Sequence, residues 1–113
     1  MIYSGVRFPA LPQIKNKINA MYKLFNLKEE DNNVSVLYVT LPEGRTMAEL
    51  TRECSEQIRD VIMEKRVFGR DIRIYGRITT SMALVLGHEL CHVARSVSMF
   101  DPKENEYVEC IKH

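Results

Sequence analysis

Two of the three histidines in the chain lie four residues apart, in the stretch LGHELCHVA at residues 86–94. His88, Glu89 and His92 form a His-Glu-x-x-His pattern, and on a helix the two histidines would share a face and could bind one metal ion. In zinc metallopeptidases the glutamate of this pattern is the general base. A catalytic zinc needs a third protein ligand. The candidates that follow are Asp101, Glu104, Glu106, Glu109 and His113. The alternative is that both histidines only pack or hydrogen-bond on a helix.

A second group of candidate residues lies in YGRITTS, residues 75–81, between a predicted strand and a predicted helix. Gly76 allows close approach of the backbone, and Arg77 supplies a forked cation. Three hydroxyls follow, at Thr79, Thr80 and Ser81. Because a helix N-terminus offers free N–H groups and a positive dipole, this loop is a candidate phosphate site. The alternative is that the hydroxyls only cap the helix and that Arg77 is a solvated surface charge.

Asp101 follows a short predicted strand and should also lie at an end of the sheet. Its carboxylate could bind a divalent cation or orient a water molecule, and Lys103 beside it could contact a phosphate. The simpler explanation is an Asp-Pro turn, because Pro102 comes next.

The composition limits the classes of protein to consider. The chain has 113 residues, which suits one domain, and 45% of them are hydrophobic, as in ordinary globular proteins. Sixteen Lys and Arg nearly balance 15 Asp and Glu, which argues against a nucleic-acid coat protein, so any anion site must be local. Three cysteines without a Cys-x-x-Cys pair argue against a disulfide framework and favour the cytoplasm. No apolar run is long enough to span a bilayer, and we expect no membrane partner.

Hydrophobic periodicity predicts the elements that position these residues. Residues 1–33 form an N-terminal arm with a predicted helix, on the helical spacing of Ile14, Ile18, Met21 and Phe25, and residues 28–33 form a polar loop. Residues 34–113 form the core, which begins with a β-branched strand at residues 34–41. A capping box at Thr46 and Glu49 then starts a helix.

The rest of the core continues this alternation. A strand is predicted at residues 70–76, a helix at about residues 82–95, and two strands at residues 96–100 and 106–111 joined by a turn. Strands that alternate with helices favour a single α/β domain over residues 1–113, with a three-layer, mostly parallel sheet and a C-terminal β-hairpin.

Three segments together resemble a known family, the small ring nucleases of type III CRISPR systems, which were first described as manganese-dependent RNA exonucleases. The segments are YGRITTSMALVLGH, LCH and VSMFDPKENEYVECI, which cover about the last forty residues of the chain. Gly76 and Arg77 match the Gly-Arg of the family, His88 and His92 its two histidines, and Asp101 its Asp-Pro.

The chain also departs from the family pattern. Lys103 stands where the family prefers arginine, and Ile78 to Met82 replace an expected proline and tryptophan. The interval between the histidines is one residue longer, and His113 lies one place from a further family histidine.

The resemblance implies a Rossmann-like fold, related to nucleotide-sensing domains, and cleavage of the phosphodiester bonds of cyclic oligoadenylate, with RNA 3′ ends as a further substrate. It implies Mn²⁺ as the cofactor and a homodimer or higher head-to-tail oligomer, whereas the metallopeptidase alternative would use Zn²⁺. His92 would be the general acid or base, and His88 would support it or bind metal. Asp101 would bind metal or position the nucleophile, while Arg77 and Lys103 neutralise phosphate charge. The alternatives are a zinc metallopeptidase and a non-catalytic sensor of cyclic oligonucleotides.

Overall fold

The structure is a computed structural model, and it describes residues 23–64 and 66–113. Five strands and two helices follow one another in these residues. They are β1 (Phe25–Glu29), β2 (Val34–Val39), α1 (Met47–Met63), β3 (Asp71–Tyr75), α2 (Thr80–Cys91), β4 (Ser96–Asp101) and β5 (Glu106–Lys112). The strands form one sheet in which the spatial order is the chain order. The predicted α/β class and the C-terminal hairpin of β4 and β5 are therefore confirmed.

The sheet is mixed, which corrects the prediction of a mostly parallel one. β2 pairs with β3, and β3 with β4, in parallel. The two outermost strands, β1 and β5, pair antiparallel with their neighbours. Helix α1 connects β2 to β3 and helix α2 connects β3 to β4, and both connections lead in the same direction across the sheet. Right-handed connections therefore place both helices on the same face. The two helices also pack against each other. The described residues therefore build one helical layer on the sheet instead of the two layers that a three-layer fold requires.

The core lies between the helices and one face of the sheet. The apolar stripe of α1 buries Leu50, Cys54, Ile58 and Val61, largely as its spacing predicts, although Met47 at the start of the stripe is exposed. The apolar side of α2 buries Met82, Leu86 and Leu90. Against them lie alternate residues of the central strands, among them Leu37, Ile72 and Ile74. This packing holds the two helices at fixed positions relative to the strand ends.

Strand β1 replaces part of the predicted N-terminal helix and polar loop. Phe25, the last residue of that helix prediction, begins β1 and is 2% exposed, and Lys28 belongs to the strand instead of a loop. The spacing of Phe25 from Met21 suited a helix, but Phe25 and Leu27 alternate inward as in a strand. The rest of the predicted helix lies outside the described residues. The turn into β2 is closed by Asp31, whose Oδ1 accepts hydrogen bonds from the backbone at residues 33 and 34.

Local signals fix the starts of the two helices. Thr46 and Glu49 form the predicted capping box at the start of α1. Helix α2 begins at Thr80 with Thr79 as its N-cap, and it ends at Cys91, not at Arg95 as predicted. It stops there because the next residues join the start of β3: the Val93 carbonyl accepts a hydrogen bond from the Gly69 N–H (2.8 Å). Neither described helix is long and apolar enough to cross a membrane.

Candidate functional site

Two of the predicted site segments meet at one edge of the sheet. Gly76 and Arg77 directly follow β3, and Asp101 is the last residue of β4. Because β3 and β4 are parallel neighbours, their carboxyl ends lie side by side. We call residues 76–81 and 101–103 the carboxyl edge. In α/β sheets ligands commonly bind outside such strand ends.

Gly76 is required by the geometry of the carboxyl edge. It has φ +125°, and a Cβ atom on it would lie 2.5 Å from the carbonyl oxygen of Val39 in the neighbouring strand. The chain therefore passes directly over the end of β2, and this brings Arg77 against Val39, Thr40 and Leu41, with which it lines a shallow concavity. Arg77 is exposed and pairs with no carboxylate of the described residues. Its guanidinium is available to an anion.

Two of the three hydroxyls at this edge are occupied by the protein itself. The Thr79 Oγ1 accepts a hydrogen bond from the Met82 N–H (3.1 Å) as the helix cap. The Ser81 Oγ lies 2.7 Å from the Thr51 Oγ1 and 3.0 Å from the Thr79 Oγ1, and so ties α2 to α1. Thr80 is exposed. The simpler interpretation, a helix cap, therefore accounts for Thr79 and Ser81, and Thr80 alone is left as a candidate donor to a ligand.

Asp101 closes the turn between β4 and β5. Its Oδ1 accepts hydrogen bonds from the backbone N–H groups of Lys103 (3.0 Å) and Glu104 (3.3 Å). The Oδ2 atom has no hydrogen-bond partner among the described residues. Asp101 therefore forms the expected Asp-Pro turn and still presents one carboxylate oxygen. The Lys103 side chain is exposed beside it.

The histidines lie away from the carboxyl edge. Helix α2 starts at that edge and runs back across the sheet, so that His88 is in its last turn and His92 is its C-cap. A rise of about 1.5 Å per residue puts His92 roughly 18 Å along the axis from Thr80. The two imidazole centroids are 5.0 Å apart in an edge-to-face arrangement, and both rings are exposed. One chain therefore cannot bring His92 and Asp101 to the same atom.

The side of the sheet near the histidines is the opposite edge, formed by the N-terminal ends of β3 and β4 and the C-terminal end of β5. Its strongest ion pair joins Asp71 to Arg95, with Nε–Oδ1 and Nη2–Oδ2 distances of 3.0 and 2.5 Å. Hydrogen bonds from Arg95, and then from the Ser96 hydroxyl, lower the pKa of Asp71 to about 2. The third histidine, His113, follows β5 at this edge, where its N–H donates to the Arg95 carbonyl (2.9 Å).

The donors of one chain do not fit a metal centre. Within residues 23–64 and 66–113, no three side chains of His, Cys, Asp or Glu come close enough together to hold an ion. Glu89, the general base of the metallopeptidase interpretation, lies 4.0 Å from the Nε of Arg59 on α1. The predicted ligands Asp101, His88 and His92 are divided between the two edges. Among the residues that the structure describes, neither the Mn²⁺ nor the Zn²⁺ prediction gains a three-ligand site within one molecule.

An aromatic cluster was not foreseen from the sequence. Tyr38, Tyr75, Phe100 and Tyr107 lie on four adjacent strands, with centroid separations of 5.6, 4.7 and 5.3 Å between neighbours. We call these four side chains the aromatic row. They lie on the sheet face that carries neither α1 nor α2, which we call the open face, because strand residues alternate and Leu37 and Ile74 point to the helices.

Cations lie over both ends of the aromatic row. The Nζ of Lys28 is 5.7 Å from the centroid of the Tyr38 ring, and the guanidinium carbon of Arg73 is 5.1 Å from that of Tyr107. The sequence signal was an aromatic residue at or near the carboxyl end of each parallel strand, but it becomes a row only once the strand register is known.

No protein-family model, curated protein or solved structure matches this chain. Function must therefore be inferred from the residues themselves and from the family pattern that they resemble.

Proposed function

We propose that this protein is a phosphodiesterase that cleaves cyclic oligoadenylate. The observation that carries the proposal is that residues 76–77 and 101–103 follow, or lie at, the carboxyl ends of the neighbouring parallel strands β3 and β4. A guanidinium, an ammonium and a carboxylate at the same end of the sheet suit the binding of a phosphodiester near a group that orients the reacting atoms. The same residues are those that match the ring-nuclease pattern. The family relationship, and with it a nucleotide-sensing Rossmann-like ancestry for the mixed sheet, is part of this proposal.

The site is proposed to form between molecules. The carboxyl edge holds the phosphate-binding side chains, whereas His88 and His92 lie at the opposite edge, separated from them by the length of α2. Head-to-tail stacking would place the opposite edge of one molecule against the carboxyl edge of the next. The ligand then lies between an anion-binding surface and a pair of histidines. This is the arrangement that the resemblance implies, and it requires no rearrangement of the fold.

The chemistry uses the ribose 2′-hydroxyl as the nucleophile. Its oxygen forms a bond to the adjacent phosphorus while the bond from phosphorus to the 5′-oxygen breaks, leaving a 2′,3′-cyclic phosphate and a 5′-hydroxyl. His92 accepts the 2′-hydroxyl proton or donates one to the departing 5′-oxygen, and His88, whose ring centroid is 5.0 Å away, takes the complementary role. Arg77 and Lys103 stabilise the negative charge that develops on the phosphoryl oxygens. Asp101 orients the attacking ribose. Each of these roles is filled by a side chain of the protein itself.

A complementation experiment tests the two-molecule site. We expect Asp101→Asn, which keeps an oxygen acceptor for the turn, and His92→Ala each to abolish linearisation of labelled cyclic tetra-adenylate. When the two variants are mixed, some interfaces pair the intact carboxyl edge of a His92→Ala molecule with the intact histidines of an Asp101→Asn molecule. Part of the activity should then return. Glu104→Ala, a neighbouring exposed carboxylate, is the matched control and should retain activity. Folded variants that stay inactive after mixing would contradict the shared site, and a wild-type protein that neither binds nor cleaves the ring would refute the proposed function.

A non-catalytic sensor is the second candidate, and the hydrogen bonds of Asp101 favour it. Because Oδ1 is held by the turn, only Oδ2 is left to act on a substrate. A sensor would bind cyclic tetra-adenylate through Arg77 and leave it intact. Wild-type binding that is lost in Arg77→Ala, with no linear product at any time, would favour this candidate. One zinc per chain that is lost in His88→Ala would instead favour the metallopeptidase.

A further inference from the structure

The aromatic row is unusual for a sheet face that neither helix of the described residues covers. An antiparallel or mixed sheet commonly turns its polar side chains towards water when no layer covers that face. Here four rings occupy adjacent strands, and Tyr38 and Tyr75 at the centre of the described sheet are 36% and 43% exposed. Contiguous exposed apolar surface of this kind is typical of a binding site.

The position of the row connects it to the carboxyl edge. Tyr75 is the last residue of β3 and directly precedes Gly76 and Arg77. Phe100 directly precedes Asp101, and Tyr107 pairs with Phe100 in the antiparallel ladder of β4 and β5. The rings therefore cross the sheet beside the residues proposed to bind phosphate. A ligand that reaches over the edge would meet cations first and then aromatic faces.

The charges around the row indicate which ligand it suits. Lys28 and Arg73 lie over its two ends, and Arg77 follows Tyr75 of the row by two residues. Arg73 is partly neutralised by Glu30, with a distance of 3.5 Å between Nη1 and Oε1, whereas Lys28 and Arg77 pair with no carboxylate of the described chain. Flat apolar surfaces between cations are the features that bind single-stranded nucleic acid, in which bases stack on rings and phosphates meet the charges.

We propose that the aromatic row stacks the bases of a single-stranded oligoribonucleotide whose phosphates follow the carboxyl edge. The identification of that ligand as oligoadenylate rests on the proposed function. Stacking on aromatic rings recognises any base, since every base has a π face. The row therefore supplies binding affinity, and the residues of the carboxyl edge determine which phosphodiester bond is cleaved. A ladder of rings on neighbouring strands is the device by which small four-stranded sheets hold two or three unpaired bases.

The protein offers an intrinsic probe for this test. It contains no tryptophan and five tyrosines, three of which, Tyr38, Tyr75 and Tyr107, belong to the row. Stacked bases should quench their fluorescence. The binding assay follows this quenching together with the anisotropy of a labelled linear oligoadenylate of about six nucleotides, a length within the range that small single-strand-binding sheets cover.

The variants separate stacking from folding. Tyr75→Ala should weaken binding by about fivefold or more, the loss typical of one stacked base. Tyr75→Phe keeps the ring and should bind nearly as well as the wild type, whereas Tyr75→Leu keeps an apolar side chain without a π face and should bind like Tyr75→Ala. Phe68→Ala is the matched control, because Phe68 is an exposed ring (52%) in the loop before β3, away from the row. Its binding should be unchanged.

The outcomes distinguish this inference from the proposed function. Binding of linear oligoadenylate that depends on the Tyr75 ring supports the inference even if the protein cleaves no cyclic ligand, a result that would refute the function alone. Cleavage of cyclic tetra-adenylate with unchanged affinity in Tyr75→Ala and Tyr75→Leu would overturn the inference and leave the function standing. Equal weakening by Phe68→Ala would also overturn it. A Tyr75→Ala protein whose oligomeric state changes while its affinity for RNA stays the same would overturn it too. The row would then bind a second copy of the chain.

Discussion

Replacing Gly76 by alanine tests the geometry on which the carboxyl edge depends. Two costs combine at this position. A residue with a side chain must adopt φ +125°, which costs roughly 1–3 kcal/mol outside glycine. The new Cβ would also lie 2.5 Å from the Val39 carbonyl oxygen, a backbone atom that can move only if β2 and β3 separate. Overpacking of this kind typically costs about 1–3 kcal/mol. We therefore expect Gly76→Ala to lower the free energy of unfolding by about 3 kcal/mol, a large part of the total for a small domain.

Two other glycines provide controls for the separate costs. Gly69 has φ +68°, and a Cβ on it would meet no atom within 4 Å, so Gly69→Ala should cost only the backbone strain, about 1 kcal/mol. Gly87 lies within α2, where a Cβ would meet only the Ile111 Cδ1 at 3.6 Å, an ordinary contact. Gly87→Ala should leave stability unchanged or raise it by up to about 1 kcal/mol through helix propensity.

The assay is urea denaturation of the three variants and the wild type, followed by far-ultraviolet circular dichroism. Stability is compared through the midpoints, provided that the slopes agree. A Gly76→Ala protein that loses no more stability than Gly69→Ala would refute the argument, because the Val39 contact would then contribute nothing. A Gly87→Ala protein as unstable as Gly76→Ala would show that the assay reports any added methyl group.

Three further predictions concern other parts of the fold. Asp71→Asn should cost about 1 kcal/mol at pH 7 for a partly exposed ion pair. Because Arg95 lowers the pKa of Asp71 from 3.8 to about 2, this stabilisation is complete above pH 4 and disappears as the pH falls through 2, so urea midpoints of the two proteins should converge there. Thr46→Ala should lower the free energy of unfolding by about 1 kcal/mol through loss of the capping box, again measured in urea. Burial raises the pKa of Cys54 from 9.0 to about 12, which reduces its thiolate about a thousandfold, so iodoacetamide should label Cys110 in the folded protein and Cys54 only after unfolding. Rapid labelling of Cys54 in the folded protein would contradict its position in the core.

The elements with strong local signals could be predicted from the sequence. The β-branched run at Val34–Val39, the capping box at Thr46 and the turn at Asp101 each determine a boundary through contacts within a few residues. Strand β1 could not be predicted in this way. Its five residues are short, and only pairing with β2 decides that Phe25 belongs to a strand and not to a helix. That pairing adds a second antiparallel pair to the hairpin of β4 and β5, so that half of the strand pairs in the sheet are antiparallel.

The same distinction between local signals and long-range contacts applies to the candidate site. The carboxyl ends of parallel strands lie at the same end of a sheet, so the alternation of strands and helices predicts that Gly76 and Asp101 share an end. That β3 and β4 are direct neighbours is known only from the strand order. The use of Ser81 to tie α2 to α1 depends on how the two helices pack, and no local pattern contains it. The aromatic row depends on the register of three strand pairs and on the face to which each ring points, and a shift of one residue in any strand would remove its ring from the row.

The coincidence of strand order and chain order has a consequence for how the molecule acquires its fold. Each strand pairs with the strand before it in the chain, so every new strand finds its partner already synthesised. A sheet of this kind can therefore grow by one strand at a time as the chain leaves the ribosome. The rings of the open face are added in the same sequence, first from β2 and last from β5. The surface that spans four strands is therefore complete only when the terminal hairpin closes at Asp101, and the turn that shapes the carboxyl edge also completes the sheet.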